Sequence, residues 1–328
     1  MRFKKIAALA AMALWLPLGA SAQGGDAAAA SYPSKPVTVL APFAAGGTVD
    51  IIARLVGHKL ALDLGQSFVV DNRGGAGGTI ATAMLARAAP DGYTVMVQHM
   101  GLAFNAGLYD KLPFDTARDI RPVAYIGATP NVLVVSKSLP VKSAAEFLAY
   151  AKANPGKINY GSGGVGSAGH VPMAVMSSIT GLKMQHVPYK GSGPAIVDLM
   201  SGQIQAMLLT IPAVMPFIQQ GQLRALATSG AKRSPALPEL PTLEEVGVKQ
   251  FEYEPWYGYF VPAGTPPAVQ QKLHDAVNKA LQDPEIASKL REQGLEVKSM
   301  SQQQFVDIVA RDTATWGAKI KSLGLRGE

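Results

Sequence analysis

Residues 36–57 read PVTVLAPFAAGGTVDIIARLVG, and the order of their parts decides the architecture. Val37, Val39 and Leu40 suit a buried strand, while Ile51, Ile52, Leu55 and Val56 recur at helical spacing. A loop with paired glycines, Phe43 to Asp50, joins the two. Strand, glycine loop and helix together make the repeating unit of an α/β fold with parallel strands.

The unit recurs along the chain. It returns as FVVDNRGGAGGTIATAMLARA at 68–88 and YTVMVQHMGLAFNAG at 93–107. It then starts again with INYGSGGVGSAGHVPMAVMSSITG at 158–181, MQHVPYKGSGPAIVDLMSG at 184–202 and IQAMLLTIPAVMPFIQQG at 204–221. Two series of three predict two similar α/β lobes, each a mainly parallel sheet flanked by helices. The extended stretch PVAYIGATPNVLVVSKSLP, 122–140, is the expected crossing, bending at Gly127 to Pro130, and LRALATSG, 223–230, the expected return. Residues 235–246, with Pro235, Pro238 and Pro241, read as a loop. Three helical segments close the chain, starting near Pro266-Pro267, Asp283-Pro284 and Ser301. The last carries Phe305, Ile308, Val309, Trp316 and Ile320 on one face, so Trp316 reads as core. The expected division is 32–127 and 231–328 for lobe one, with 128–230 for lobe two.

The first residues predict export. Arg2, Lys4 and Lys5 precede an apolar run from Ile6 to Leu16, and Ala20-Ser21-Ala22 offers a small-x-small cleavage pattern. Residues 1–22 are therefore expected to be a signal peptide cleaved near Ala22, and the apolar run is short for a bilayer span. With no cysteine in 328 residues, disulfides, thiolate metal sites and cysteine nucleophiles drop out together. The formal charge of +7 includes those three leader cations, leaving +4, and the remaining Lys and Arg are scattered. Nothing reads as a nucleic-acid stripe.

In an open parallel sheet, ligands bind beyond the carboxyl ends of strands, where loops feed helix N-termini. Such loops present free N–H groups and the positive end of a helix dipole, which suits a small anion. In the first loop Gly46 and Gly47 permit close approach, and Thr48 can cap the helix or donate to a ligand oxygen. Asp50 either meets a ligand cation or complements the dipole. The second loop, Gly74 to Thr79, lacks the Lys-Ser/Thr ending of a P-loop. Gly164-x-Gly166-x-x-Gly169 fits a dinucleotide fingerprint nominally, but His186-Val187-Pro188-Tyr189 stands where the ribose-binding acid belongs. Ser162 and Ser167 read instead as donors to a carboxylate, and no cofactor is expected. The histidines at 58, 99, 170, 186 and 274 show no metal-binding spacing, and no Gly-x-Ser-x-Gly elbow occurs. An exported hydrolase using Ser162 or Ser167 with His170 is the enzymatic alternative.

These motifs resemble the receptors of the tripartite tricarboxylate transporters, the Bug family. APFAAGGTVDIIARLV is similar to the family's opening signature. FVVDNRGGAGGTIA, PDGYT, INYGSGGVGSAGH, VPYKGSGPA, LPELPTLEEVG, Trp256-x-Gly258 and PAGTPP follow in the family's order, from about Tyr32 to the C-terminus. The resemblance implies a two-lobed type II-like, Venus-flytrap binding protein of the periplasm, not an enzyme, and expected to be monomeric. It would capture a small carboxylate or a nicotinamide-type compound by hinge closure and deliver it to integral-membrane permease subunits. A ligand-sensing co-receptor is the alternative role. By position it implies ligand contacts from Phe43, Gly46, Gly47 and Thr48 in lobe one, and Ser162, Gly166, Ser167 and His170 in lobe two. Gly75, Ala76, Tyr189 and Gln205 are further candidates. The chain departs from the family at Ala44-Ala45, where two prolines are usual, at Asp71 in place of Glu, and at Gln205 in place of an Asp that often faces the cleft.

Overall fold

The computed structural model describes residues 31–327; the expected signal peptide lies outside them. Lobe one begins with β1 (Val37–Ala41), α1 (Thr48–Leu64), β2 (Phe68–Asn72), α2 (Thr79–Arg87), β3 (Thr94–His99), α3 (Gly101–Leu108) and the single turn α4 (Thr116–Asp119). The chain crosses on β4 (Ile120–Ala128) into β5 (Asn131–Val135). Lobe two continues with α5 (Ala144–Ala153), β6 (Asn159–Ser162), α6 (His170–Thr180), β7 (Gln185–Pro188), α7 (Ser192–Ser201), β8 (Ala206–Thr210), α8 (Ile211–Gln219) and β9 (Arg224–Thr228). It closes in lobe one with β10 (Trp256–Pro262), α9 (Pro267–Gln282), α10 (Pro284–Glu292), β11 (Glu296–Val297) and α11 (Gln302–Ser322).

Each series of three units forms a parallel triplet, as its sequence predicts. Strand β1 lies between β2 and β3, and β6 lies between β7 and β8. The sheets as wholes are mixed, in the orders β11-β4-β10-β3-β1-β2 and β7-β6-β8-β5-β9. The reason is the crossing: β10 and β5 each arrive from the opposite lobe and run against the triplets, while β4, antiparallel to β10, runs with the first triplet.

The crossing falls between Ala128 and Asn131, because Pro130 withholds an N–H and both sheets end there. The expected return at 223–230 differs. Strand β9 is hydrogen-bonded to β5 in the second sheet, and the first sheet is re-entered only at Trp256. Leu237 and Leu240 hold the proline-rich stretch against the second lobe's core, beside Val132 and Leu209. A serine ties the two crossings together. The Ser229 hydroxyl accepts from the Asn131 N–H at 2.7 Å and donates to the Tyr253 carbonyl at 2.5 Å.

Strand β10 is buried along its whole length, so its alternation is apolar on both faces, as a central strand requires. Helix α11 starts with a capping box between Ser301 and Gln304. Trp316 packs on Phe104 and Tyr253, with ring centroids 5.2 and 5.6 Å apart, so its core reading holds.

Candidate functional site

Between the lobes lies a narrow cleft of about 40 Å³. Lobe one supplies Phe43, Gly47, Thr48, His99 and Tyr257; lobe two supplies Gly163, Ser167 to Gly169, Ser192 and Thr210. The elements bring these residues together at the carboxyl ends of β1, β3, β6 and β8. The lobes touch directly. The Thr48 and Thr210 hydroxyls share a hydrogen bond of 2.6 Å, and the Ala44 N–H donates to the Lys190 carbonyl at 3.3 Å.

Four helices begin here, at Thr48, His170, Ser192 and Ile211, and none has a side-chain cap. Helix starts outside the cleft are of two kinds, and α2 and α3 also lack a side-chain cap. Asp115, Ser143, Asp283 and Ser301 each cap theirs through a side-chain oxygen, and α9 starts on Pro266-Pro267, which carry no N–H at all. The cleft therefore gathers four positive dipole ends. First-turn N–H groups come more from α1 and α7 than from α6 and α8, where the His170 N–H is bonded to Ser167, the Ile211 N–H to the Pro130 carbonyl, and Pro212 carries none. No charged side chain lines it among the described residues.

Asp50 organises the first loop rather than facing a ligand. Its carboxylate accepts from the Gly46 N–H at 3.0 Å and the Asn72 amide at 3.1 Å, and pairs with Arg54 at 2.9 Å. Burial opposes its ionisation, but these partners outweigh burial and hold the carboxyl below its usual value. Gly46 sits at φ +82°, in the left-handed region that glycine tolerates, and its N–H is already committed to Asp50. The loop is held without the prolines that Ala44 and Ala45 replace.

His99 and Tyr257 are cross-strand partners on β3 and β10. Phe43 stacks on the His99 ring at 4.9 Å. Burial pushes the His99 pKa down to about 3, so the ring is neutral. Its Nδ1 accepts from the Gly101 N–H at 2.6 Å, which leaves the proton on Nε2. The Tyr257 hydroxyl is fully buried beside Thr48 and Thr210. Burial pushes its pKa up, against a smaller opposite influence of the two threonines. It stands outside hydrogen-bond geometry to both and has no partner among the described residues.

The remaining sequence candidates separate into three groups. Ser162 and His170 are buried behind the cleft loop. Ser162 Oγ meets His186 Nε2 at 2.6 Å, not His170. The His170 ring packs on His186 at 4.1 Å, and its Nδ1 accepts from the Gly166 N–H at 3.3 Å. Ser167 Oγ accepts from the His170 backbone N–H. The Ser–His170 pair of the hydrolase alternative therefore does not form, because the loop turns the imidazole back onto its own backbone. Gly75, Ala76 and Tyr189 line a neighbouring interlobe cavity of about 570 Å³ instead. The Tyr189 hydroxyl is engaged with Asp198 at 2.6 Å. Gln205 is a correction: it precedes β8, whose other end, Thr210, reaches the cleft. Its amide accepts from the Asn159 N–H at 2.9 Å and donates to the Gly202 carbonyl at 3.1 Å, so it pins strand ends far from the ligand side.

Sequence reasoning missed His99, Ser192, Thr210 and Tyr257. Thr210 carried a readable signal, standing directly before a proline-started helix. His99 and Tyr257 carried none, since their meeting depends on pairing across 158 positions.

The match to known proteins agrees with this geometry. Residues 52–325 match the model of the tripartite tricarboxylate transporter family receptor. The chain belongs to that family. Protein BugT of Bordetella pertussis is 34% identical over 298 residues, covering 90% of this chain and 91% of its own. Among solved structures, R. palustris Rpa4515 with adipate superposes with a TM-score of 0.87 at 38% identity, covering 90% of this chain and 99% of that one. MatC from Rhodopseudomonas palustris with bound malate gives 0.84 at 32% identity, over 88% and 100%. The tricarboxylate-transporter receptors share the two-lobed periplasmic-binding-protein fold, and the chain is a solute-binding receptor of that kind, not an enzyme. No helix among the described residues is long and apolar enough to cross a membrane.

Proposed function

We propose that the protein captures a small aliphatic carboxylate in the periplasm by closure of its lobes, then hands it as a monomer to the membrane subunits of a tripartite transporter. The observation that carries the reading is the set of four uncapped helix starts facing a cleft with no charged side chain. Such a site stabilises a carboxylate through N–H groups and dipoles alone. Thr48, Ser167, Ser192 and Thr210 add hydroxyls, and His99 Nε2–H and Tyr257 O–H add donors. The related proteins solved with adipate and malate support the ligand class. Cleavage near Ala22 and periplasmic location rest on the leader sequence.

The cleft volume of about 40 Å³ is far below the 300–1,000 Å³ usual for small-molecule sites. A solute of several carbons therefore has to part Thr48 from Thr210 and take over both hydroxyls. A thermal-shift screen of C3–C8 mono- and dicarboxylates, amino acids, aromatic acids and nicotinamides tests the class. A dicarboxylate at 100 times its Kd should add about 2.7 kcal/mol, a rise of several degrees. No shift with any aliphatic acid overturns the reading.

Tyr257→Phe separates binding from folding. Removing an unpaired buried hydroxyl should leave ligand-free stability unchanged or higher, since an unmade hydrogen bond costs about 1–3 kcal/mol. Solute affinity should fall roughly three- to tenfold, the worth of one hydrogen bond. Calorimetric titration showing unchanged affinity would remove Tyr257 from the site.

A further inference from the structure

Helix α11 turns a row of short side chains outward. Val306, Ala310, Ala314 and Ala318 recur four residues apart and form one ridge, and the three alanines are exposed. Elsewhere the same helix shows solvent the residues expected of a surface, such as Gln303, Asp307, Arg311 and Lys319. The ridge is one wall of a trough closed on the other side by α4 and the start of β4, at Ile120 and Pro122. The trough holds about 630 Å³, within the range of small-molecule sites.

Its charge is one-sided. Arg121 and Lys321 line it, and no acidic side chain does. Neither cation has an ion pair among the described residues, whereas Arg118, Arg311 and Arg326 on or beside the same elements are paired with Asp119, Asp312 and Asp110. The trough is also remote from the cleft. Ile120 opens β4, and Ala128, at the crossing, ends it; at about 3.3 Å per residue that strand spans roughly 26 Å.

The geometry points to a second ligand site here, for an amphipathic anion: an alkyl carboxylate whose chain lies along the alanine ridge and whose head meets Arg121 and Lys321. Apolar walls exclude a hydrated inorganic ion, and two unpaired cations select an anionic head over a neutral or cationic one. A second copy of the chain fits less well. A two-fold contact places the same patch on both subunits, and Arg121 and Lys321 would then face their own kind.

Calorimetric titration of the purified protein with octanoate, decanoate and dodecanoate below their micellar concentrations tests this. Affinity should tighten about fourfold per added methylene, the transfer value of a buried CH₂. Ala314→Trp, at an exposed position, should leave the melting temperature unchanged and weaken decanoate more than tenfold by filling the trough. The Arg121→Gln, Lys321→Gln double variant should lose the preference for decanoate over decyltrimethylammonium. Gly74→Val, which acts on the cleft, should leave decanoate binding intact, so failure here and failure of the carboxylate receptor reading give different results. The inference is overturned by absent binding, by binding that Ala314→Trp does not weaken, or by competition with the cleft solute. Dimerisation in sedimentation that Ala314→Trp abolishes overturns it as well, and assigns the trough to a second copy.

Discussion

Gly74→Val should weaken solute binding by between about fivefold and 150-fold while the ligand-free protein still folds. Gly74 lies in lobe one, and a Cβ placed there would stand 2.7 Å from the Lys190 carbonyl oxygen of lobe two. Its backbone is not among the left-handed positions, so the substitution adds no strain of its own. The tightest contact is across the lobes, and within lobe one the same Cβ would also stand 3.3 Å from the Ala44 nitrogen. The same carbonyl accepts the Ala44 N–H across the cleft, so a valine both crowds that contact and displaces it. Overpacking of this kind costs about 1–3 kcal/mol, and a penalty on the closed form alone passes directly into the apparent affinity. Titration calorimetry reads the affinity, and small-angle scattering reads the compaction on adding solute. Unchanged affinity with normal compaction would show that the Lys190 loop yields, and that closure does not need this contact.

Stability should fall steeply as pH drops from about 6.5 towards 4. Three histidines are neutral, His99 and His170 buried and His186 half-buried. Burial pushes His99 to about 3 and His186 to about 4. His170 is pushed to about 3 by burial first and by the charge of neighbouring His186 second. In the unfolded chain each takes a proton near pH 6.5. The unfolded state thus binds more protons throughout the window between 6.5 and the folded values. The contribution is full above pH 6.5 and is lost as pH falls. Each histidine supplies a slope of about 1.4 kcal/mol per pH unit, and three supply about 4. Two pH units are then comparable with the whole stability of a typical domain, 5–15 kcal/mol. Urea unfolding at pH 7, 6 and 5 should show this loss. His186→Gln should flatten the profile by about 1.4 kcal/mol per unit, although it lowers stability at pH 7 by removing the Ser162 partner. A flat profile, or one that the substitution leaves untouched, would mean that the rings reach water.

The Ser162–His186 contact shows why the hydrolase alternative attracted attention and why it fails. Serine, histidine and glycine loops are visible in a sequence, but the direction of a ring is not. Ser162 is fully buried at the end of β6, and His186 comes from the neighbouring strand β7 in register with Tyr160. The pair props the loop from behind; the cleft in front of it is lined by Ser167, Ala168 and Gly169.

Some of this protein was determined by the sequence alone. Strand, loop and helix follow from apolar spacing, paired glycines and prolines at helix starts, all of which act within a few residues of chain. Those local preferences placed the two parallel triplets, the crossing at Pro130 and the loops that meet at the cleft, and they singled out Gly47, Thr48 and Ser167, while Phe43 came from the family resemblance. Only the tertiary structure decided the rest. It delayed the return to the first sheet until Trp256, because Leu237 and Leu240 bury against lobe two. It turned Gln205 away from the cleft, and it joined His99 to Tyr257 and Thr48 to Thr210. Each of these depends on strand pairing or lobe contact between distant residues, where shape and burial, not local propensity, select the partner. The uncapped helix starts stand between the two levels: three missing caps are legible in Gly47, Gly169 and Gly191, but that Thr210 leaves its helix uncapped, and that all four converge on one cleft, are properties of the fold.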